Sequence, residues 1–250
     1  METITIIIII LIIICISSSI GAGIYLSSSS EAPMETTETD SGKTETASGK
    51  TDSGKTETAS GKTDSGASGT SVFKVVGSSD TNFDDEGGGN TIYLDRQQID
   101  CKDNAIKRFH LSREYKDNIP TGKMKYEITC SSGDLGLSTN KDTGANDWGG
   151  GNSIYLDRHN IDCGSDSVLS QFRLVRPKEN EIRYDYTCKK SNKPLTCRDV
   201  TTPANDWGGG NSIYLEKHDV SCNENEVISK VHLTRPTGGE ISYQYKCCKY

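Results

Sequence analysis

A run of three glycines and an asparagine occurs three times in this chain, at residues 87–90, 149–152 and 208–211. Each time x-Ile-Tyr-Leu-[Asp/Glu]-[Arg/Lys] follows, and then a cysteine. The asparagines are Asn90, Asn152 and Asn211, so the steps are 62 (152 − 90) and 59 (211 − 152) residues. Each copy runs on to a pair of cysteines: Cys101 and Cys130, Cys163 and Cys188, Cys222 and Cys247. A fixed period of this size marks a repeat architecture. One copy of about 60 residues buries too little surface to be securely stable alone, so three copies sharing one core is the natural solution.

The residues around each glycine run alternate in polarity. Met124, Tyr126, Ile128 and Cys130 share one parity, as do Ile182, Tyr184, Tyr186 and Cys188, and Ile241, Tyr243, Tyr245 and Cys247; the opposite parity is mostly charged or polar. Period two with one apolar face is a half-buried strand. The preceding segment repeats the pattern with Phe109 and Leu111, Phe172 and Leu174, or Val231 and Leu233, and a Gly-, Pro- or Asn-bearing turn lies between, so each pair predicts a hairpin. A third strand is expected at 92–94, 154–156 and 213–215, and a fourth before the glycines, near 73–76, 137–140 and 195–200. The expectation is an all-β domain over 72–250, with repeats of about 72–130, 131–188 and 189–250. About four short strands per repeat would make a pseudo-threefold β-trefoil or three-sheet β-prism. Linkers too short for separate beads favour one domain.

Nine cysteines are present, and all except Cys15 lie in this domain. The equivalent pairs Cys101–Cys130, Cys163–Cys188 and Cys222–Cys247 are expected to be disulfides. Cys197 and Cys248 are left to bridge the first strand of the last repeat to the C-terminus. A zinc site from Cys247 and Cys248 with His218 and His232 lacks any Cys-x-x-Cys pair, and no metal or cofactor is called for. If these pairs are disulfides, the domain is expected to sit outside the reducing cytosol.

The first 26 residues are almost continuously apolar from Ile4 to Leu26, long enough for a transmembrane helix. A cleaved signal peptide is the alternative, but that would open with positive charge, and this chain opens Met1-Glu2. Residues 27–71 contain a twelve-residue Ser/Thr/Gly/Lys unit twice and no large apolar side chain after Met34, which predicts a disordered stalk. The expected location is a membrane with a single span, carrying the C-terminal domain on an extracellular, lumenal or virion-surface side. A formal net charge of −7 and a pI near 5.2 argue against a nucleic-acid partner, which calls for a basic surface.

Candidate ligand-binding residues flank two of the glycine runs: Asp147, Trp148 and Asn152, and Asp206, Trp207 and Asn211. A tryptophan offers a flat face to a sugar ring, and Asp and Asn offer polar contacts. The plain alternative is that the glycines make an obligatory turn and the tryptophans plug the end of the domain. In the first copy the same stretch is Asp84-Asp85-Glu86, without a tryptophan. Asp157-Arg158-His159 and Glu216-Lys217-His218 read as salt-bridged strand ends, and Arg113, Arg176 and Arg235 as partners for those acids or for a strand tyrosine. No motif places a nucleophile beside a base, so no catalytic residue is assigned.

The run Cys163-x4-Val168-Leu169-Ser170-x-Phe172, with Tyr184-x-Tyr186-x-Cys188, resembles the cysteine-framed repeats of dermatopontin-like extracellular and lectin-like proteins, although the Asp-Arg-x-Trp element of that family is missing between Arg173 and Tyr184. The isoleucine-rich anchor, the Ser/Thr-Gly-Lys stalk and the Asn/Asp-rich repeats also resemble membrane proteins of giant DNA viruses, whose virions carry disulfide-bonded surface proteins. These resemblances imply a non-enzymatic surface protein whose β-repeat head binds a glycan or protein partner. A purely structural coat component and, behind it, a secreted hydrolase are the other readings.

Overall fold

The computed structural model describes residues 72–250. The anchor expected over 1–26 and the stalk over 27–71 lie outside the described residues. Among the described residues no helix is long and apolar enough to cross a membrane.

Each repeat contributes five strands. In the first they are β1 (Lys74–Asp80), β2 (Asp84–Asp85), β3 (Gln98–Asp100), β4 (Ala105–Lys116) and β5 (Ile119–Ser132). In the second they are β6 (Leu135–Asp142), β7 (Asn146–Asp147), β8 (Asn160–Asp162), β9 (Ser167–Val175) and β10 (Glu181–Ser191). The third has β11 (Thr196–Thr201), β12 (Asn205–Asp206), β13 (Asp219–Ser221), β14 (Val227–Thr237) and β15 (Glu240–Lys249). The strands form three antiparallel five-stranded sheets. Sheet I has the order β1-β5-β4-β13, with β2 also on β5; sheet II is β3-β9-β10-β6, with β7 on β10; sheet III is β11-β15-β14-β8, with β12 on β15.

The short strand after each glycine run does not stay with its own repeat. β3 pairs with β9 of the second repeat, β8 with β14 of the third, and β13 with β4 of the first. Every repeat therefore hands one strand to the next, and the third hands its strand back to the first, which closes the ring. No repeat completes its own sheet, so the three can be stable only together.

The expected hairpins are present as β4–β5, β9–β10 and β14–β15, and the weak fourth strands as β1, β6 and β11. The segments 92–94, 154–156 and 213–215 are not strands as the alternation suggested. They lie in 3₁₀ turns, Thr91–Arg96, Ser153–Arg158 and Ser212–Lys217, each opened by its asparagine, whose side-chain oxygen accepts the backbone N–H two residues on. In a 3₁₀ turn positions three apart eclipse. Leu94, Leu156 and Leu215 fall on that inward row and are buried, with Thr91, Ser153 and Ser212 three residues before them. A three-residue Ile-Tyr-Leu run is too short for periodicity to tell the two apart.

One core draws on all three repeats, with Met124, Ile182 and Ile241 fully buried at equivalent positions. Phe109 packs edge-on against Phe172 at 5.1 Å and against Tyr243 at 6.0 Å, joining the three sheets through aromatic contacts. A smaller cluster of Phe73, Ala105, Val168 and Val227 seals the end where the chain enters, and Tyr250 stacks on Phe73 at 4.4 Å.

All four expected disulfides form: Cys101–Cys130, Cys163–Cys188, Cys222–Cys247 and Cys197–Cys248. The first three do more than close local loops. Cys101 follows β3 and donates its N–H to Ser170 in sheet II, while Cys130 lies on β5 of sheet I, so the bridge staples neighbouring sheets. Cys163 and Cys222 likewise bond to Ser229 and Lys107 on the following sheets. The fourth bridge stays within sheet III, where Cys197 faces Cys248 directly and fixes the last strand to the edge strand β11.

Candidate functional site

The glycine runs meet one another around the pseudo-threefold ring. A side chain on Gly89 would overlap the carboxamide of Asn211, one on Gly151 that of Asn90, and one on Gly210 that of Asn152. Each asparagine thus caps its own 3₁₀ turn and fills a place that only glycine leaves open in the next repeat. The first glycine of each run is equally constrained: Gly87, Gly149 and Gly208 lie under the rings of Tyr93, Tyr155 and Tyr214, at φ near +60°. The cations of Arg96, Arg158 and Lys217 sit 4.3, 4.1 and 4.3 Å from those ring centroids.

The flanking acids have turn duties. Asp147 Oδ1 accepts the N–H of Gly149 at 2.8 Å, and Asp206 Oδ1 that of Gly208 at 2.9 Å; Asp85 does the same for Gly87. Both aspartates are exposed and keep a free oxygen edge toward solvent. Trp148 and Trp207 are half-buried against the main core, and their backbone N–H groups bond to Asn180 O and Gly239 O in the adjoining hairpin turns. In the first repeat Glu86 occupies the tryptophan's place. It is buried and receives Arg113 through two hydrogen bonds of 2.8 and 2.9 Å.

The charged strand ends form a second ring of contacts between repeats. Arg176 bonds to Asp95 of the repeat before it at 2.8 Å, and Arg235 to Asp157 at 2.6 Å. Arg113 would meet Glu216 by the same rule, but turns to Glu86 instead. His159 and His218 point inward: each Nδ1 lies at hydrogen-bond distance from a threonine hydroxyl, Thr143 at 2.8 Å and Thr202 at 3.0 Å. Burial pushes both imidazoles below their ordinary pKa, and the adjacent Arg158 or Lys217 adds to it. In the first repeat Gln97 fills this position, bonded to Thr81 and to Met124 O.

Two open grooves flank this machinery. One, of about 540 Å³, lies between the first and second repeats and is walled by Trp148, Ile92, Arg176, Lys178 and Glu181. The other, of about 440 Å³, runs over the outer face of sheet II. Of the candidate residues, Trp148 lines the first groove; Asn152 and Asn211 are committed to the ring of glycine contacts. The sheet II groove escaped sequence reasoning, because its residues come from β3, β6, β9 and β10 and share no motif. Among the described residues no group of three or more His, Cys, Asp or Glu is placed to hold a metal ion.

Comparison of the chain with protein-family models, with characterised proteins and with solved structures finds no match.

Proposed function

We propose that residues 72–250 form the three-sided β-prism head of a membrane-anchored surface protein, and that this head binds glycan through the groove beside Trp148. The half-buried Trp148 in the wall of that groove carries the reading. Its indole presents an aromatic face, while Arg176, Lys178 and Glu181 supply hydrogen-bonding groups around it, the mix a saccharide needs. The position suits contact with a partner. The chain enters at Phe73, and Lys74 pairs with Ser132 at one end of β5, whereas Asp84 and Asp85 pair with Met124 and Lys123 near the other. From Lys123 to Ser132 the strand rises roughly 30 Å, so the tryptophan loops sit far from the point of entry.

A second reading, a coat component that packs against its neighbours, draws on the edge strands. Val75 and Val76 on β1 are 56% and 54% exposed and Leu137 on β6 is 83% exposed, where an edge strand would ordinarily carry charge. One experiment separates the two. The full chain in detergent is applied to an immobilised glycan array and to size exclusion. Glycan retention that Trp148→Ala abolishes, with the disulfide map unchanged, supports binding at this groove; no retention together with concentration-dependent assembly favours the coat component.

A further inference from the structure

We infer that the outer face of sheet II is a second saccharide subsite, one that selects a carboxylate-bearing sugar through Arg173. The inference rests on the glycan-binding reading above and adds to it a substrate class and a location.

The pairing register aligns a row of side chains across the sheet: Gln98 on β3, Arg173 on β9, Asp185 on β10 and Asp142 on β6. The next row carries Gln171, Thr187 and Asn140. All seven line the same groove. Within it the acids are already matched, since Arg183 donates to Asp185 at 2.7 Å and approaches Asp142 at 4.0 Å. Thr187 Oγ1 lies 3.0 Å from Asn140 and 3.2 Å from Gln171, so these polar groups form a small network of their own. Arg173 is exposed and takes part in no ion pair or side-chain hydrogen bond among the described residues. Its five N–H donors face solvent at the centre of a polar groove.

The other two faces of the ring provide internal controls. At the place of Arg173, sheet I has His110, whose ring bonds to His218 O, and the neighbouring Arg108 is spent on Asp219 at 2.8 Å and Glu127 at 3.5 Å. Sheet III has His232 bonded to Asp157 O, and its lysines pair with Asp162 and Asp199. An exposed guanidinium without an ion pair, set between the Gln98 amide and the already matched Asp185 carboxylate, is thus particular to sheet II. That fork matches a carboxylate with two parallel hydrogen bonds, and the amides of Gln98 and Gln171 and the Thr187 hydroxyl suit ring hydroxyls. The groove is open and shallow, which favours a chain of sugars lying across the strands over a small enclosed ligand. It shares β10 with the Trp148 loop: Glu181 pairs with Asp147, and Asp185 lies four residues, ~13 Å, further down the strand.

The test presents uronic-acid oligosaccharides and their neutral hexose counterparts to the full chain in detergent, at low and at high salt. The wild type should retain the acidic series preferentially, less so at high salt. Arg173→Ala should lose at least about tenfold of that preference, as expected for a charge-assisted bidentate pair, while Arg173→Lys keeps part of it. His232→Ala, at the matching place on sheet III, should change nothing. Because Arg173 is exposed and unpaired, an unchanged melting temperature verifies the fold of each variant. Equal retention of acidic and neutral sugars, or an acidic preference that survives Arg173→Ala, overturns the subsite and leaves the glycan reading standing. Retention of no sugar of any kind overturns both.

Discussion

The carboxamide of Asn90 occupies the space beside Gly151 where any other residue of the second repeat would have its Cβ. The contact recurs between Asn152 and Gly210 and between Asn211 and Gly89, so the glycine runs are the hub through which the repeats recognise each other. Gly151 also has φ +90°, whereas its neighbour Gly150, at +65°, has open space where a Cβ would stand, with nothing within 4 Å. Gly151→Ala should therefore cost on the order of 2 kcal/mol or more, combining backbone strain with displacement of Asn90. Gly150→Ala should cost only about 1 kcal/mol, the left-handed backbone penalty alone. Urea unfolding midpoints of the two variants measure the difference; equal losses would mean the asparagine contact is dispensable.

Two arginines at equivalent places should respond very differently. Arg113 and Glu86 are 12% and 11% exposed in their side chains, so Arg113→Ala leaves a buried carboxylate without its partner. The expected loss is about 3 kcal/mol. Arg176 is 51% exposed in its pair with Asp95, and Arg176→Ala should cost below about 1 kcal/mol. Thermal unfolding of both variants at neutral pH gives the comparison.

The two buried imidazoles make stability depend on pH. Their folded pKa values lie below the ordinary value of about 6.5, so the unfolded chain binds more protons once the pH falls through that point. The stability they contribute is full above about pH 6.5 and declines as the pH drops toward their folded values. Glu226, held below the usual carboxylate range by its hydrogen bonds from Arg198, adds its loss only near and below about pH 4.3. Gln97 already fills the equivalent place in the first repeat. The double variant His159→Gln, His218→Gln should hold its melting temperature from pH 7 to pH 5, where the wild type declines; identical profiles would place the titration elsewhere.

Disulfide mapping under non-reducing conditions should return the four pairs and no free thiol among the eight cysteines of residues 72–250. Removing Cys163–Cys188, with a separation of 25 residues, should cost roughly 3 to 4 kcal/mol by loss of the constraint on the unfolded chain. Because that bridge also ties sheet II to the strand crossing into sheet III, its loss should increase hydrogen exchange in β8 more than in β6. Loss of Cys197–Cys248 should loosen β11 and the C-terminus instead.

The sequence alone determined the threefold repeat, the hairpins, the four disulfide pairs and the all-β class. These are written in short-range pattern: a side chain alternates with its neighbours, a turn follows a strand, three cysteine pairs recur at equivalent places, and the fourth pair is what remains once those three are matched. Three things were decided only by the tertiary structure. The Ile-Tyr-Leu segments became 3₁₀ turns, because the asparagine cap and the inward leucine outweigh a three-residue alternation. The short strands β3, β8 and β13 crossed to the next sheet, since three residues carry no sign of which partner they will meet. The ion pairs of Arg176 and Arg235 with the preceding repeat, the diversion of Arg113 to Glu86, and the solitary Arg173 all follow from closing the ring. Closure brings together residues far apart in the chain, and no local spacing encodes those meetings.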